Sequence, residues 1–329
     1  MVLQHGADTP SRPPARSATV KFLPMPHALA APRKEVGTMT LPLVVGVDGS
    51  ESCLLAVDWA VDEAARHGVP LRLVYASLWE RYEAGLPSAG LERPSGQVLA
   101  EHTVASAADR AERRNPDVKI TTDIIPEDAV TALVRAGDEA FALVTGSRGR
   151  GELKGLLLGS VGLGVSARAG CPVVVVRGDR VGLEGAHERI LLGLGETGTS
   201  TEAVRFAFRE AEVRGCVLDV VHAWRRPAYD RSGDRLQRGG PADTYEEDAA
   251  TVIDAVLTAA SAEHPHVRTR PAALEGPAGK ILVDRSAAAD LVIVGARHRR
   301  AHLGFQLGCV SHTLLHHAQC PVAVVPERQ

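Results

Sequence analysis

Aromatic side chains are scarce, at 4% of the 329 residues. Val, Leu, Ile and Ala must therefore fill the cores. That suits strands buried on both faces of a parallel sheet better than a large all-β sandwich. The five cysteines, Cys53, Cys171, Cys216, Cys309 and Cys320, form an odd set with no CxxC pair. A disulfide framework is thereby disfavoured, and free thiols in a reducing compartment are expected. Cys171 and Cys320 each precede a Pro-Val run and read as small core residues. No apolar run is long enough for a membrane-spanning helix, and the N-terminal stretch lacks the apolar core of a signal peptide. The expected location is the cytoplasm, with no membrane partner. A formal charge of −3 gives no general attraction to nucleic acid. Methionine is absent after Met39.

What is present is a tail followed by a repeat. Residues 1–40 carry Pro10, Pro13, Pro14, Pro24, Pro26 and Pro32 without helical or strand periodicity, and read as a flexible extension. Met25 and Met39 are alternative starts, the latter almost at the first strand. From residue 41 the chain repeats itself. Gly46 aligns with Gly193, Ala56-Val57 with Ala203-Val204 and Ala60 with Ala207. Near the ends, "LVTGSRGRGELKGLLLGSV" faces "LVIVGARHRRAHLGFQLGCV", and "CPVVVV" faces "CPVAVV". The expected domains are 41–178 and 187–326.

Each copy alternates short apolar runs with helical patterns. Strands are expected at 43–48, 71–77, 118–125, 141–146 and 172–177, then at 189–194, 217–223, 267–274, 290–295 and 321–325. In the first copy, helices are expected at 52–67, 97–113, 127–137 and 158–169. This alternation implies α/β domains, each a doubly wound, five-stranded parallel sheet of order 3-2-1-4-5. Residues 225–248 read as a mobile insertion. The two final strands are apolar edges that need a partner.

Two loops of the first copy carry the chemistry: Val47-Asp48-Gly49-Ser50 after the first strand, and Gly146-Ser147-Arg148-Gly149-Arg150-Gly151, then Gly159-Ser160, after the fourth. In that strand order the first and fourth strands are neighbours at the reversal, where ligands of such sheets bind. Gly146 and Gly149 would let backbone amides approach phosphate oxygens. Gly159-Ser160 would open a helix whose N–H groups and dipole favour an anion. Asp48, an acceptor, suits ribose hydroxyls or an adenine amino group. Taken singly, glycines are more often plain turn residues and Ser160 a plain cap. The spacing Gly-x2-Gly-x9-Gly-Ser after a buried strand, with an Asp ending the first strand, favours a nucleotide.

"VVGVDGS" and "VTGSRGRGELKGLLLGSV…CPVVVVR" resemble the ATP-binding class of universal stress proteins over about residues 41–326. The resemblance implies that ATP, with or without Mg²⁺, is the ligand. It places Val47 and Asp48 at the adenosine moiety, Ala76 beside adenine, and Thr145, Gly146, Arg148, Gly149, Gly159, Ser160 and Val161 around ribose and phosphates. It further implies pairing of the two last strands about a pseudo-twofold axis, association of two chains, and a stress or dormancy role through an unidentified protein partner.

The second copy departs from this pattern. Gly195 stands in place of Asp48, His298 in place of Gly149, and Cys309 in place of Ser160, so ATP binding there is not expected. Arg297, Arg299 and Arg300 read as a solvated loop, with a site for another anion as the alternative. His312 and His316 lie one turn apart, but no third ligand accompanies them and no metal site is assigned. No Walker A sequence is present, and no catalytic residue can be named. A nucleotide-dependent regulator is the first reading. A slow ATPase or ATP-dependent transferase, and a nucleotide-free scaffold, are the alternatives.

Overall fold

The computed structural model describes residues 40–78, 95–149, 158–195, 201–225, 242–296, 299–301 and 304–327. The N-terminal extension through residue 39 lies outside the described residues. So do Arg150, Gly151, Arg297, His298 and residues 226–241 of the expected insertion.

The first half runs β1 (Leu43–Gly46), α1 (Glu51–His67), β2 (Leu71–Ala76), α2 (Ser95–Arg114), β3 (Ile120–Ile125), α3 (Ala129–Gly137), β4 (Ala142–Gly146), α4 (Ser160–Arg168) and β5 (Val173–Val176). A short helix, α5 (Arg180–Leu183), joins it to β6 (Arg189–Leu194), α6 (Thr201–Arg214), β7 (Val217–Trp224), α7 (Ala242–Glu263), β8 (Arg268–Glu275), α8 (Ala278–Ser286) and β9 (Leu291–Ala296). Then come β10 (Arg299–Ala301), β11 (Gly304–Gln306), α9 (Cys309–His317) and β12 (Val322–Pro326). Each strand expected from the apolar runs is present. Helix α5 was not expected. It forms because the Asp179 carboxylate accepts the Gly182 N–H at 2.9 Å and caps a single turn. Arg299 and Arg300, expected in a loop, instead belong to an antiparallel strand pair, β10–β11.

Ten strands form one sheet in the order β3-β2-β1-β4-β5-β12-β9-β6-β7-β8. Read inward from each edge, each half has the order 3-2-1-4-5 that the sequence implies. Within each half the neighbours are parallel. At the centre β5 meets β12 antiparallel, with Val174 opposite Ala323. The two apolar edges thus cover one another, which removes the exposed template that an unpaired edge would offer. A continuous buried layer crosses this seam, from Leu43, Val45 and Ala60 to Phe206, Ala207 and Ile293. Cys171 and Cys320 are buried as expected, while Cys309 is exposed. Burial pushes the Cys171 thiol up to about 12.

Candidate functional site

The site begins where β1 and β4, hydrogen-bonded neighbours, reach their C-terminal ends. The Val47 N–H is held by the Val74 carbonyl at 2.9 Å. Asp48 Oδ1 then accepts the Ser50 N–H at 2.9 Å, an Asx turn that Gly49 completes at φ 80°. Ser50 opens α1 and its hydroxyl accepts the Cys53 N–H at 3.2 Å. A carboxylate on so short a turn has a fixed direction. A Cβ added to Gly149 would lie 2.8 Å from Asp48 Oδ2, so the two loops meet at these residues.

The loop after β4 is tied on both sides. The Ser147 N–H donates to the Val176 carbonyl at 3.1 Å, and the Ser147 carbonyl accepts the Gly159 N–H at 2.8 Å. The Ser52 hydroxyl donates to the Arg148 carbonyl and accepts the Arg148 N–H at 3.2 Å. The Ser50 hydroxyl reaches the same carbonyl at 3.3 Å. Gly146 abuts α1: an added Cβ would sit 2.6 Å from the Ser52 carbonyl oxygen. Here the structure alters a sequence-based role. Gly146 lets the first turn of α1 close on β4, and Gly149 makes room for the Asp48 carboxylate. Ser50 and Ser147 stand in the two loops that the sequence marks, without an assigned role, and Ser52 lies outside them. The signal available was "DGSES", in which serines one and three residues past the Gly share the first turn of the coming helix.

Helix α4 supplies the third wall. Its cap residue is Gly159, which offers no side-chain acceptor to the first turn. Gly159 lies close to the loop, an added Cβ falling 3.6 Å from the Gly149 nitrogen. Ser160 is exposed on the first turn, whereas Val161 packs against the cluster around Val130 and Leu133. Thr145 is 4% exposed, and an added Cβ on Gly162 would come 3.3 Å from its hydroxyl. It lies beneath the first turn of α4, and its buried hydroxyl has no hydrogen-bond partner among the described residues. Arg148 is exposed. Ala76 ends β2, partly exposed, beside a cavity of about 490 Å³ lined by Leu78, Ile125, Asp128 and Arg135.

This arrangement comprises a directed carboxylate, a tethered loop and an uncapped helix start at the reversal point of a doubly wound sheet. A family model for the "Universal stress protein family" matches residues 39–177 and again residues 187–326. The chain belongs to the universal stress protein family. Universal stress protein Rv2005c of Mycobacterium tuberculosis is 31% identical over 311 residues, which is 90% of this chain and 99% of that one. Universal stress protein Rv2623 of the same organism is 30% identical over 305 residues, 88% of this chain and 98% of its own. Among solved structures, a universal stress protein from Archaeoglobus fulgidus shares the fold with TM-score 0.65 at 19% identity, covering 87% of this chain and 98% of that one. Another from that organism, in complex with dAMP, overlaps 42% of this chain and 99% of its own, at 22% identity and TM-score 0.32.

The second half of this universal stress protein has the scaffold of the site without its carboxylate. Gly195 is exposed where the first half has Asp48. Gly308 caps α9 without a side-chain bond, as Gly159 caps α4. His312 and His316 have ring centroids 4.5 Å apart. Partial burial and the neighbouring histidines push His316 below the usual imidazole range.

One further cluster of titratable groups lies between the halves. Glu63 and His67 on α1 face Glu210 and Arg214 on α6. His67 Nε2 is 3.0 Å from Glu210 and 3.4 Å from Glu63. Arg214 Nη2 donates to both Glu63 oxygens, at 2.8 and 2.7 Å, and to Glu210 at 3.1 Å. The two carboxylates and His67 are near enough to share an ion, but the Arg214 guanidinium already occupies both carboxylates. The cluster reads as an ion-pair network between domains. No helix among the described residues is long and apolar enough to cross a membrane.

Proposed function

We propose that this universal stress protein binds an adenine nucleotide, ATP with or without Mg²⁺, in the first-half crevice. Nucleotide occupancy then changes its shape or partners in a stress or dormancy response. In this reading residues 41–178 are the ATP-binding domain, and residues 187–326 are a second domain whose site has lost its acceptor.

What carries the reading is the meeting of Asp48 Oδ2 with Gly149, a position that a Cβ would fill, directly beside the uncapped start of α4. A carboxylate suits ribose hydroxyls. Free N–H groups at Ser160 and Val161, with the helix dipole behind them, suit phosphate oxygens. Arg148, exposed on the loop, adds charge of the right sign. The backbone of Ala76 and the cavity beside it give the base a place to lie. The Asp48 carboxylate is turned to the Ser50 amide and to Gly149, an orienting role more than that of a base for attacking water. A regulator is therefore favoured over an ATPase.

The test is calorimetry and thermal denaturation of the full chain with ATP, ADP and AMP. A ligand at a hundred times its Kd adds about 2.7 kcal/mol to stability, so the melting temperature should rise clearly. Asp48→Asn should weaken binding of every adenine nucleotide. No shift with millimolar ATP would favour the scaffold reading. Rapid hydrolysis lost in Asp48→Asn would favour the enzyme.

A further inference from the structure

A cavity of about 500 Å³ shares Ser147 and Arg148 with the crevice but is not lined by Asp48 or Gly149. Its walls come from both halves: the first turn of α1, the turn after β5, and His317 and Gln319 at the end of α9. Arg177 lines it and is unusual. Its Nη1 donates to the Leu315 carbonyl across the seam, while its buried Nε has no partner. Burial depresses its pKa, and the neighbouring Arg148 adds like-charge repulsion. Among the described residues no carboxylate comes within ion-pair distance of it. Two carboxylates do line the cavity. Asp179 is engaged with the Gly182 N–H at 2.9 Å, and Glu51 is exposed at the start of α1. Arg177 and Arg148 both line this void, and two guanidinium groups without a carboxylate partner at Arg177 call for an anion with several oxygens.

We propose that this cavity is a polyphosphate subsite, with Arg177 as its anchoring contact and Arg148 shared with the nucleotide crevice. Two sources supply the same chemistry. One is the terminal phosphates of a nucleotide reaching over the Ser147–Arg148 loop, an arm that rests on the nucleotide reading above. The other is a free inorganic polyphosphate, which does not.

The experiment uses the full chain, with inorganic tripolyphosphate, ATP and AMP as separate probes in calorimetry. Arg177→Gln should weaken tripolyphosphate binding about tenfold or more, the effect expected for one charge-assisted bond. Gln319→Glu places a carboxylate in the same cavity at an exposed position, so folding is preserved, and it should weaken binding likewise. If ATP binds more tightly than AMP and both substitutions shrink that ratio, the nucleotide supplies the phosphates. If the ratio stays fixed while tripolyphosphate binding falls, the ligand is free polyphosphate. If neither substitution changes tripolyphosphate or ATP binding, the subsite is disproved. AMP is too short to need Arg177, so its response to Asp48→Asn reports on the nucleotide reading alone.

Discussion

At the scale of single residues, three glycines of one motif do three different jobs. Gly146 faces backbone: an added Cβ would come 2.6 Å from the Ser52 carbonyl oxygen and 2.7 Å from its carbon. Neither atom can move without shifting α1. Gly146→Ala should therefore destabilise the protein by about 1–3 kcal/mol, the usual range for overpacking, with or without nucleotide. Gly159 is the opposite case. It has φ −75° and ψ 152°, which any residue adopts, and an added Cβ would touch nothing closer than 3.6 Å. Gly159→Ser should supply the missing cap and raise stability by a few tenths of a kcal/mol or more. Its hydroxyl would then engage the amides that a phosphate needs, so ATP affinity should fall. Urea melts and calorimetry on the same variant separate these signs. Equal ATP affinity in the wild type and Gly159→Ser would mean that those amides do not meet phosphate. The spacing of these glycines was legible in the sequence. Their separate reasons were not, because close approach to Ser52 or Asp48 is a property of loops far apart in the chain.

At the scale of elements, α1 acts as a beam that holds the loop of another strand. Ser50 caps the helix, and both Ser50 and Ser52 hydroxyls engage the Arg148 backbone. Ser50→Ala should cost about 1 kcal/mol, as loss of a cap does. Ser52→Ala should change stability less, since the exposed Arg148 amide and carbonyl regain water. It should nevertheless weaken ATP binding, because the loop loses its tether. Denaturant midpoints and ATP titrations of both variants check this, and an unchanged ATP affinity in Ser52→Ala would show that the loop is held by other means. Most elements were readable from period and length. The run Leu71–Ala76 is a strand because it is apolar, short and bounded by Gly68-Val69-Pro70 on one side. Helix α5 is not legible in the sequence because a single turn has no periodicity. The β10–β11 pair is not legible because a charged run with glycine reads as a loop.

At the scale of the molecule, duplication places matching residues face to face. The alignment that pairs Gly46 with Gly193 also pairs Glu63 with Glu210 and His67 with Arg214, and these four meet between α1 and α6. The repeat itself was plain in the sequence. The contact was not, since it depends on how β5 meets β12.

The meeting has a pH signature. Two carboxylates this close cannot both stay charged at no cost. Burial and the charge of Glu63 raise Glu210 to about 7. Glu63 resists burial because Arg214 bonds both its oxygens, and is held well below the usual carboxylate range. His67, despite burial, is raised to about 9 by Glu210 and then Glu63. A group that binds its proton more tightly when folded favours folding at low pH. Glu210 therefore withdraws stability as pH climbs from 4.5 to about 7, and His67 does so from 6.5 to about 9. Glu63 acts oppositely, its contribution being present above the ordinary carboxylate range and lost below it. Together these groups place their greatest stabilisation near pH 5 and weaken the junction steadily toward pH 9. Urea midpoints should fall accordingly. Glu210→Gln should flatten the profile from pH 5 to pH 6.5 and also shrink the His67 decline above it, since Glu210 is the first of the two groups that raise His67. Glu63→Gln should be destabilising but by less than the about 3–5 kcal/mol of a stranded buried charge, because the Arg214 guanidinium keeps its bond to Glu210. A midpoint unchanged from pH 5 to pH 9 in the wild type would mean that the two halves share no proton across their contact.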